Sequence, residues 1–519
     1  MTNRMRWTLL LAAAMPLAAM QDPVRVAGGL VSGAPGSNPE VRVYKGIPFA
    51  APPIGDLRWK PPKPAPPWQG VRRATQFGAA CMQLFVPRSE FYYSEPEPTS
   101  EDCLYLNVWT AAKSSSERRP VMVWIFGGAQ TRGSGSWTVP GLIETRLNDG
   151  EALAKKGVVL VTLNHRLNIF GFLAHPELTK ESDRGSSGNY AFLDQIAALE
   201  WVQNNIAAFG GDPKRVTLFG QSAGSFSVNY LMASPLAKGL FQRAIGESGG
   251  VFGGMRTREE AEAAGVKFAN SIGAESLQAL RAKSAADLLK ASAPAGFTPF
   301  VDGWMLPQDV YAIFSNGKQN DVPLIAGYTS DEATPVVPWP ADGSAAWFIE
   351  QARSRFGEKT DEFLKIYPAR SVEEAKASHY ASNRDRMFGW HVRTWVRMQT
   401  KTGKSKAYLY YFSRVPPGSD SARYGAFHSA ELPYVFAHLD PPRPWEDIDR
   451  KLSQAMSSYW VNFAASGDPN GKDLPKWTSY DKSGDTALEF GNSIQSRSGL
   501  NQAGLDFLDG YFAGQRQPK

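Results

Sequence analysis

Cysteine and histidine are scarce in this 519-residue chain, which holds two Cys and six His. No Cys/His set falls at zinc-ligand spacing, so a structural zinc module is excluded. Beyond the N-terminus no run reaches 18 uninterrupted apolar residues, so the sequence offers no membrane-spanning helix. Blocks of five or six like charges are also missing. The formal charge is only +6, with Lys and Arg scattered along the chain. That pattern reads as a mixed solvated surface and not as a nucleic-acid footprint. With 43% hydrophobic and 20% charged residues, the chain is neither disordered nor collagen-like. Its length would allow about three average domains, but there is no linker and no internal repeat. A single large domain over residues 21–519 is expected, with a sizeable core.

The N-terminus has the layout of a secretory signal. Arg4 and Arg6 form a basic start, residues 8–14 an apolar stretch, and Leu17, Ala18 and Ala19 a small-residue exit. Cleavage is expected near residue 20. That predicts a secreted or periplasmic protein without stable membrane insertion. In an exported chain Cys81 and Cys103 read as a disulfide, with two buried free thiols as the alternative. Closing a loop of that size would contribute roughly 3 kcal/mol in the chain-entropy view.

Residues 51–68 (APPIGDLRWKPPKPAPPW) hold seven prolines, which forbid a helix or a central strand. Trp59 and Trp68 favour an ordered surface wrap over a flexible linker. Strands are expected at 41–44, 104–110, 120–126, 157–164, 216–219, 322–327 and 407–412, and helices at 191–208 and 225–232. Strands alternating with helices predict an α/β fold with a large, mostly parallel sheet. The charged, helix-rich stretches 257–292 and 342–400 are expected to form a cap or side lobe.

Gly-x-Ser-x-Gly occurs at Gly220–Gly224, centred on Ser222. The pattern suits a sharp strand-to-helix turn with a strained Ser at its tip and free N–H groups nearby. The pattern recurs at 246–250 around Ser248. Ser222 follows the strand-like VTLF and precedes a helix-compatible run, whereas Ser248 is followed by glycines that cannot start a helix. Ser222 is therefore the candidate nucleophile. A base and an acid should follow it in the chain. Among the six histidines, His428 lies in the loop-like YGAFHSAELPYVF after a late strand, and His438 is a weaker candidate. His165 and His175 precede the Ser, and His379 and His391 fall in the helical lobe. VPLIAGYTSDEA supplies Asp331 and Glu332 past a buried-strand pattern, and spacing does not choose between them. For an oxyanion hole, the N–H groups of Gly128, Ala129 and Ala223 are expected.

These motifs together resemble the type-B carboxylesterases, the carboxylesterase and cholinesterase branch of the α/β-hydrolases. FGGDPKRVTLFGQSAG (209–224), EDCLYLNVWT (101–110), AGYTSDEA (326–333) and FHSAELPYVF (427–436) carry the likeness, which extends to YKGIPFAAPPIGDLRW and WVNFAASGDPN. The resemblance implies an α/β-hydrolase fold and a Ser222–Glu332–His428 triad, choosing Glu332 over Asp331. It pairs Cys81 with Cys103 and places Ser248 beside the triad as a hydrogen-bonding support.

Some positions depart from the family pattern. Phe126 stands where many relatives have His, Ala129 is third in the glycine run, and Thr329 replaces a common Asn. Gln221 replaces the Glu of cholinesterases, which weakens a cationic choline-type substrate. Gln130 and Arg132 follow the glycine run. They are expected to make the pocket more polar, suiting an acidic or hydroxylated ester, unless Arg132 points to solvent. The implied activity is hydrolysis of a small-molecule ester through an acyl-enzyme, needing no metal or organic cofactor. An inactive binding protein of the same fold and an amidase or carbamate hydrolase are the rivals.

Overall fold

The apolar run around residue 122 becomes the middle of a sheet. In the computed structural model, which describes residues 22–139, 146–481 and 484–516, that run is strand β4. The expected signal at residues 1–20 lies outside the described residues. Eleven strands of the described residues form the main sheet. They are β1 (Ala34–Pro35), β2 (Arg42–Pro48), β3 (Tyr105–Thr110), β4 (Arg119–Ile125), β5 (Val159–Leu163), β6 (Gly211–Gln221), β7 (Arg243–Glu247), β8 (Leu324–Thr329), β9 (Ala407–Phe412), β10 (Ala487–Phe490) and β11 (Ile494–Arg497). Their spatial order is β11-β10-β9-β8-β7-β6-β4-β5-β3-β2-β1. The inner pairs from β5 to β10 are all parallel. Antiparallel pairs finish both edges. This is the α/β-hydrolase arrangement the sequence predicts.

Parallel strands covered on both faces need apolar side chains in both directions. The strands comply: β5, β8 and β9 are buried at every position, and β4 at every position but the first. Helices α1 (Tyr190–Asn205), α2 (Ala223–Ala233) and α3 (Asp447–Ser466) pack against the central strands. Each fully buried aliphatic side chain stabilises by about 1.5–3 kcal/mol.

The proline-rich stretch is ordered. Trp59 is buried and its Nε1 donates to the Ile169 carbonyl at 3.0 Å, while Trp68 Nε1 donates to that of Leu30 at 2.9 Å. One 3-10 turn, Gly55–Leu57, fits between its prolines. Cys81 and Cys103 are joined as a disulfide. Both helix-rich stretches form as expected, with Arg258–Ser271, Leu277–Ala282 and Ala285–Ser292 in the first. The second holds Ala345–Phe356, Thr360–Ile366, Val372–Arg384 and Trp390–Thr402.

Because β4 and β6 to β9 run parallel, their C-terminal ends share one rim. The segments leaving that rim carry the candidate residues.

Candidate active site

Ser222 follows the last residue of β6 and caps α2 with φ 56° and ψ −124°. A non-glycine residue there costs on the order of 1–3 kcal/mol and persists only where its surroundings hold it. Two backbone bonds do so: Ser222 N donates to the Glu247 carbonyl at 2.8 Å, and Phe226 N to that of Ser222 at 2.9 Å. The flanking glycine is required by close approach, since a Cβ on Gly224 would stand 2.0 Å from the Ile125 carbonyl oxygen. The turn therefore locks α2 onto the end of β4.

The loop after β4 runs along the same turn. A Cβ on Gly127 would be 3.2 Å from Ser222 Cβ. Gly128 and Ala129 follow with φ 97° and 56°. Their N–H groups donate no hydrogen bond to any of the described residues. The N–H of Ala223 opens α2, where helix donors have no partner within the helix. Gln130 does not reach the pocket, which corrects the expectation that it adds polarity there. Its left-handed φ of 61° turns the side chain under α2, where Nε2 donates to the Ala223 carbonyl at 2.9 Å and to Ser227 Oγ at 3.0 Å. It braces the loop from below.

Glu332 lies three residues past β8 and is fully buried. Its Oε1 accepts from Thr329 N at 2.8 Å, and its Oε2 makes a short hydrogen bond with His428 Nδ1. Asp331 is tied elsewhere, accepting from Ala426 N at 2.9 Å and Ser330 Oγ at 2.6 Å. It fastens the loop that carries His428. The other ring nitrogen, His428 Nε2, lies 3.2 Å from Gln221 Nε2. The Ser222 hydroxyl is hydrogen-bonded to none of the described side chains, the His428 ring included. Ser222 and His428 line one cavity of about 610 Å³, together with Gly128, Ala129, Arg132 and Gln221.

The remaining histidines are engaged elsewhere. His165 stacks on Phe126 and is buried, which pushes its ring down to about 4. His391 accepts from Phe252 N, and burial pushes it down to about 3. His175 caps the helix Pro176–Glu181, His379 contacts the Val337 carbonyl, and His438 contacts that of Asp149.

Ser248 follows β7 with its hydroxyl buried and in no hydrogen bond to the described residues. It faces the Glu431 carboxyl without reaching hydrogen-bond geometry. The expected hydrogen-bonding support is therefore not formed in this arrangement. Ser248 instead belongs to a buried layer that sequence reasoning missed. Glu247, at the end of β7, is pushed up to about 8 by burial, against the bond from Trp460. Glu431 lies well above the usual carboxyl range, chiefly through burial and then through the charges of Glu247 and Glu332. A charged residue three positions after a loop histidine reads as solvated, so nothing in the sequence marked Glu431 as buried.

Tyr92 was also missed. Its hydroxyl donates to the His428 carbonyl at 2.5 Å. It sits in the loop closed by the disulfide, which supplies Val86, Pro87, Glu90, Phe91 and Tyr92 to the cavity wall. Met387 and Phe388, between two helices of the second lobe, supply another wall. Among the described residues, no group of three or more His, Cys, Asp or Glu side chains is placed to hold a metal ion. No described helix is long and apolar enough to cross a membrane.

A model of the carboxylesterase family matches residues 21–508. The chain belongs to the carboxylesterase family. It is a carboxylic-ester hydrolase. Among its relatives, the fumonisin B1 esterase of Sphingopyxis macrogoltabida is 36% identical over 516 residues, covering 95% of this chain and 92% of that protein. The para-nitrobenzyl esterase of Bacillus subtilis is 36% identical over 462 residues, covering 85% and 89%. Carboxylesterase 5A of the dog is 35% identical over 486 residues, covering 86% and 81%.

Proposed function

We propose that this carboxylesterase works through an acyl-enzyme, with Ser222 as nucleophile, His428 as general base and acid, and Glu332 as the orienting carboxylate. The observation that carries the reading is the Glu332–His428 hydrogen bond in the cavity that Ser222 faces from its strained turn. Glu332 holds the imidazole with its proton on Nδ1, so Nε2 is the acceptor. At rest Nε2 faces the Gln221 amide; to act, it exchanges that donor for the Ser222 hydroxyl. Ser222 Oγ then attacks the ester carbonyl and its proton passes to His428 Nε2. The oxyanion takes hydrogen bonds from the N–H groups of Gly128, Ala129 and Ala223. The tetrahedral intermediate collapses, its C–O bond breaks, and His428 protonates the leaving alcohol. Water then attacks the acyl-enzyme with His428 as base, which frees the acid and restores Ser222.

Each group has a separate support. The two loop N–H groups are unengaged, and Ala223 opens a helix whose N-terminus is electropositive. Export is part of the reading, supported by the signal-like residues 1–20 and the Cys81–Cys103 disulfide.

Ser222→Ala is expected to lower turnover of a short-chain nitrophenyl ester by at least about 10⁴-fold. It should also abolish labelling by a fluorophosphonate probe. Near-normal turnover in that variant refutes the assignment.

A further inference from the structure

Arg132 is the arginine in the wall of the catalytic cavity, and its guanidinium makes no hydrogen bond or ion pair with the described residues. It leaves the loop that carries the oxyanion-hole donors: Arg132 N donates to the Gly128 carbonyl at 3.1 Å, and a Cβ on Gly128 would lie 3.0 Å from Arg132 Cγ. The stem therefore runs along Gly128 and brings the charge into the cavity beside Ser222. Its Nε is buried without a hydrogen bond to the described residues, and none of their carboxylates comes within ion-pair distance. Two other arginines away from the surface are paired with carboxylates. Arg166 pairs with Asp194 at 2.7 Å and Arg414 with Asp449 at 2.7 Å.

A buried donor left without an acceptor costs about 1–3 kcal/mol, and more when charged. Nothing else in the wall satisfies it. The Tyr92 hydroxyl is spent on the His428 carbonyl, and the exposed Glu90 carboxylate lies beyond ion-pair range. Burial works against the charge of Arg132, while Tyr92 and Glu90 favour it. The rest of the wall is largely apolar, apart from Ser222, His428 and the polar side chains of Glu90, Tyr92, Gln221 and Ser429. A planar guanidinium in such a setting takes a carboxylate through two parallel hydrogen bonds.

We propose that Arg132 is a specificity-determining residue which binds a free carboxylate on the substrate, so that the favoured substrates are half-esters of di- or polycarboxylic acids. The inference rests on the acyl-enzyme reading of the same cavity. A singly charged group fits better than a phosphate dianion, because the wall holds one arginine and, at Glu90, one opposing carboxylate.

The test compares monoethyl and diethyl glutarate, followed by acid release at pH 7. The full chain, Arg132→Met and Arg132→Lys are each assayed for kcat/KM on both esters. Arg132→Met is expected to lower the monoester-to-diester ratio by at least about tenfold, and Arg132→Lys to retain part of it. Free glutarate is expected to inhibit diester turnover competitively in the unaltered enzyme. That arm needs no variant, so it decides the matter even if Arg132→Met does not fold. An unchanged ratio, or no inhibition by glutarate at millimolar concentration, overturns the proposal. Ser222→Ala separates the two readings. Loss of turnover on both esters upholds the acyl-enzyme, and persistent turnover there breaks the acyl-enzyme reading, whatever the ratio shows.

Discussion

Glu247 makes the protein's stability fall as pH rises, and Glu247→Gln is expected to remove that slope. The residue is fully buried; Oε1 accepts from Trp460 Nε1 at 2.7 Å, and Oε2 has no partner among the described residues. Burial pushes its carboxyl from 4.5 up to about 8. The folded chain therefore keeps this proton until about pH 8, whereas the unfolded chain releases it near 4.5. Between those values the unfolded state binds fewer protons, so rising pH favours unfolding. The stability is fully present below the unfolded value and is lost as pH rises through the folded one. One proton is worth about 1.4 kcal/mol per pH unit, or on the order of 5 kcal/mol over the whole window. Glutamine carries no such proton and still offers an amide oxygen to Trp460.

From pH 5.5 to 8 the gap between variant and parent should therefore widen by about 3 kcal/mol in the variant's favour. The groups facing Glu247 act in the same sense. Glu431 is raised by burial, and charge on Glu247 or Glu332 raises it further. Tyr410, next to them, is also raised by burial. The variant keeps the Glu431 slope, so its own curve still falls with pH, but less steeply. Urea unfolding midpoints at pH 5.5, 6.5, 7.5 and 8.5 measure both curves. Parallel curves would show that Glu247 releases its proton without regard to folding, and the argument from burial would fail.

Two further outcomes follow from contacts around the cavity. Gln221→Glu puts a carboxylate where the amide now meets His428 Nε2, so the acidic limb of the kcat/KM profile should move upward by roughly one pH unit; an unmoved limb would show that residue 221 does not sense the base. Replacing both Cys81 and Cys103 with Ser opens a loop spanning 22 positions and should cost about 3 kcal/mol of stability. Because that loop carries Tyr92 and the Val86–Phe91 wall, KM should rise as well, and an unchanged KM measured below the melting transition would contradict the wall assignment.

The central sheet was legible because a strand buried on both faces writes itself as an unbroken apolar run. Residues 120–126, 157–164 and 407–412 became β4, β5 and β9 within two residues at each end. The β10–β11 edge was not legible, since ALEF and IQSR are short and β11 is largely exposed, which leaves no periodic signal. β6 begins five residues earlier than VTLF suggests. Its opening Gly-Asp-Pro-Lys-Arg reads as a turn, and a register shift between Gly211 and Val216 absorbs it. At the site, Ser222 stood out through its strand and helix context, and His428 through chain order. The choice of Glu332 needed the family likeness, because Asp331 and Glu332 differ only in which way a tight turn aims them. Gln130 misled for the same reason, since side-chain direction at a left-handed position is invisible in the sequence.

The parallel strands explain why a buried acid layer lies under this site at all. Gln221, Glu247 and Gly327 are register partners on β6, β7 and β8, and Gly327 in turn pairs with Tyr410 on β9. The residues that follow this row are Ser222, Ser248 and, a few positions on, Glu332. Glu247, at the end of β7, is thus wedged between β6 and β8, out of reach of water. Glycine at 327 leaves room for the Tyr410 ring, which would stand 2.1 Å from a Cβ there. A charged Glu247 in that position would set a second negative charge beside Glu332 and Glu431, with no cation among the described residues hydrogen-bonded to it. Its retained proton keeps that charge out of the layer. Alkaline pH removes that arrangement from below, at Glu247, the residue whose carbonyl accepts from Ser222 N.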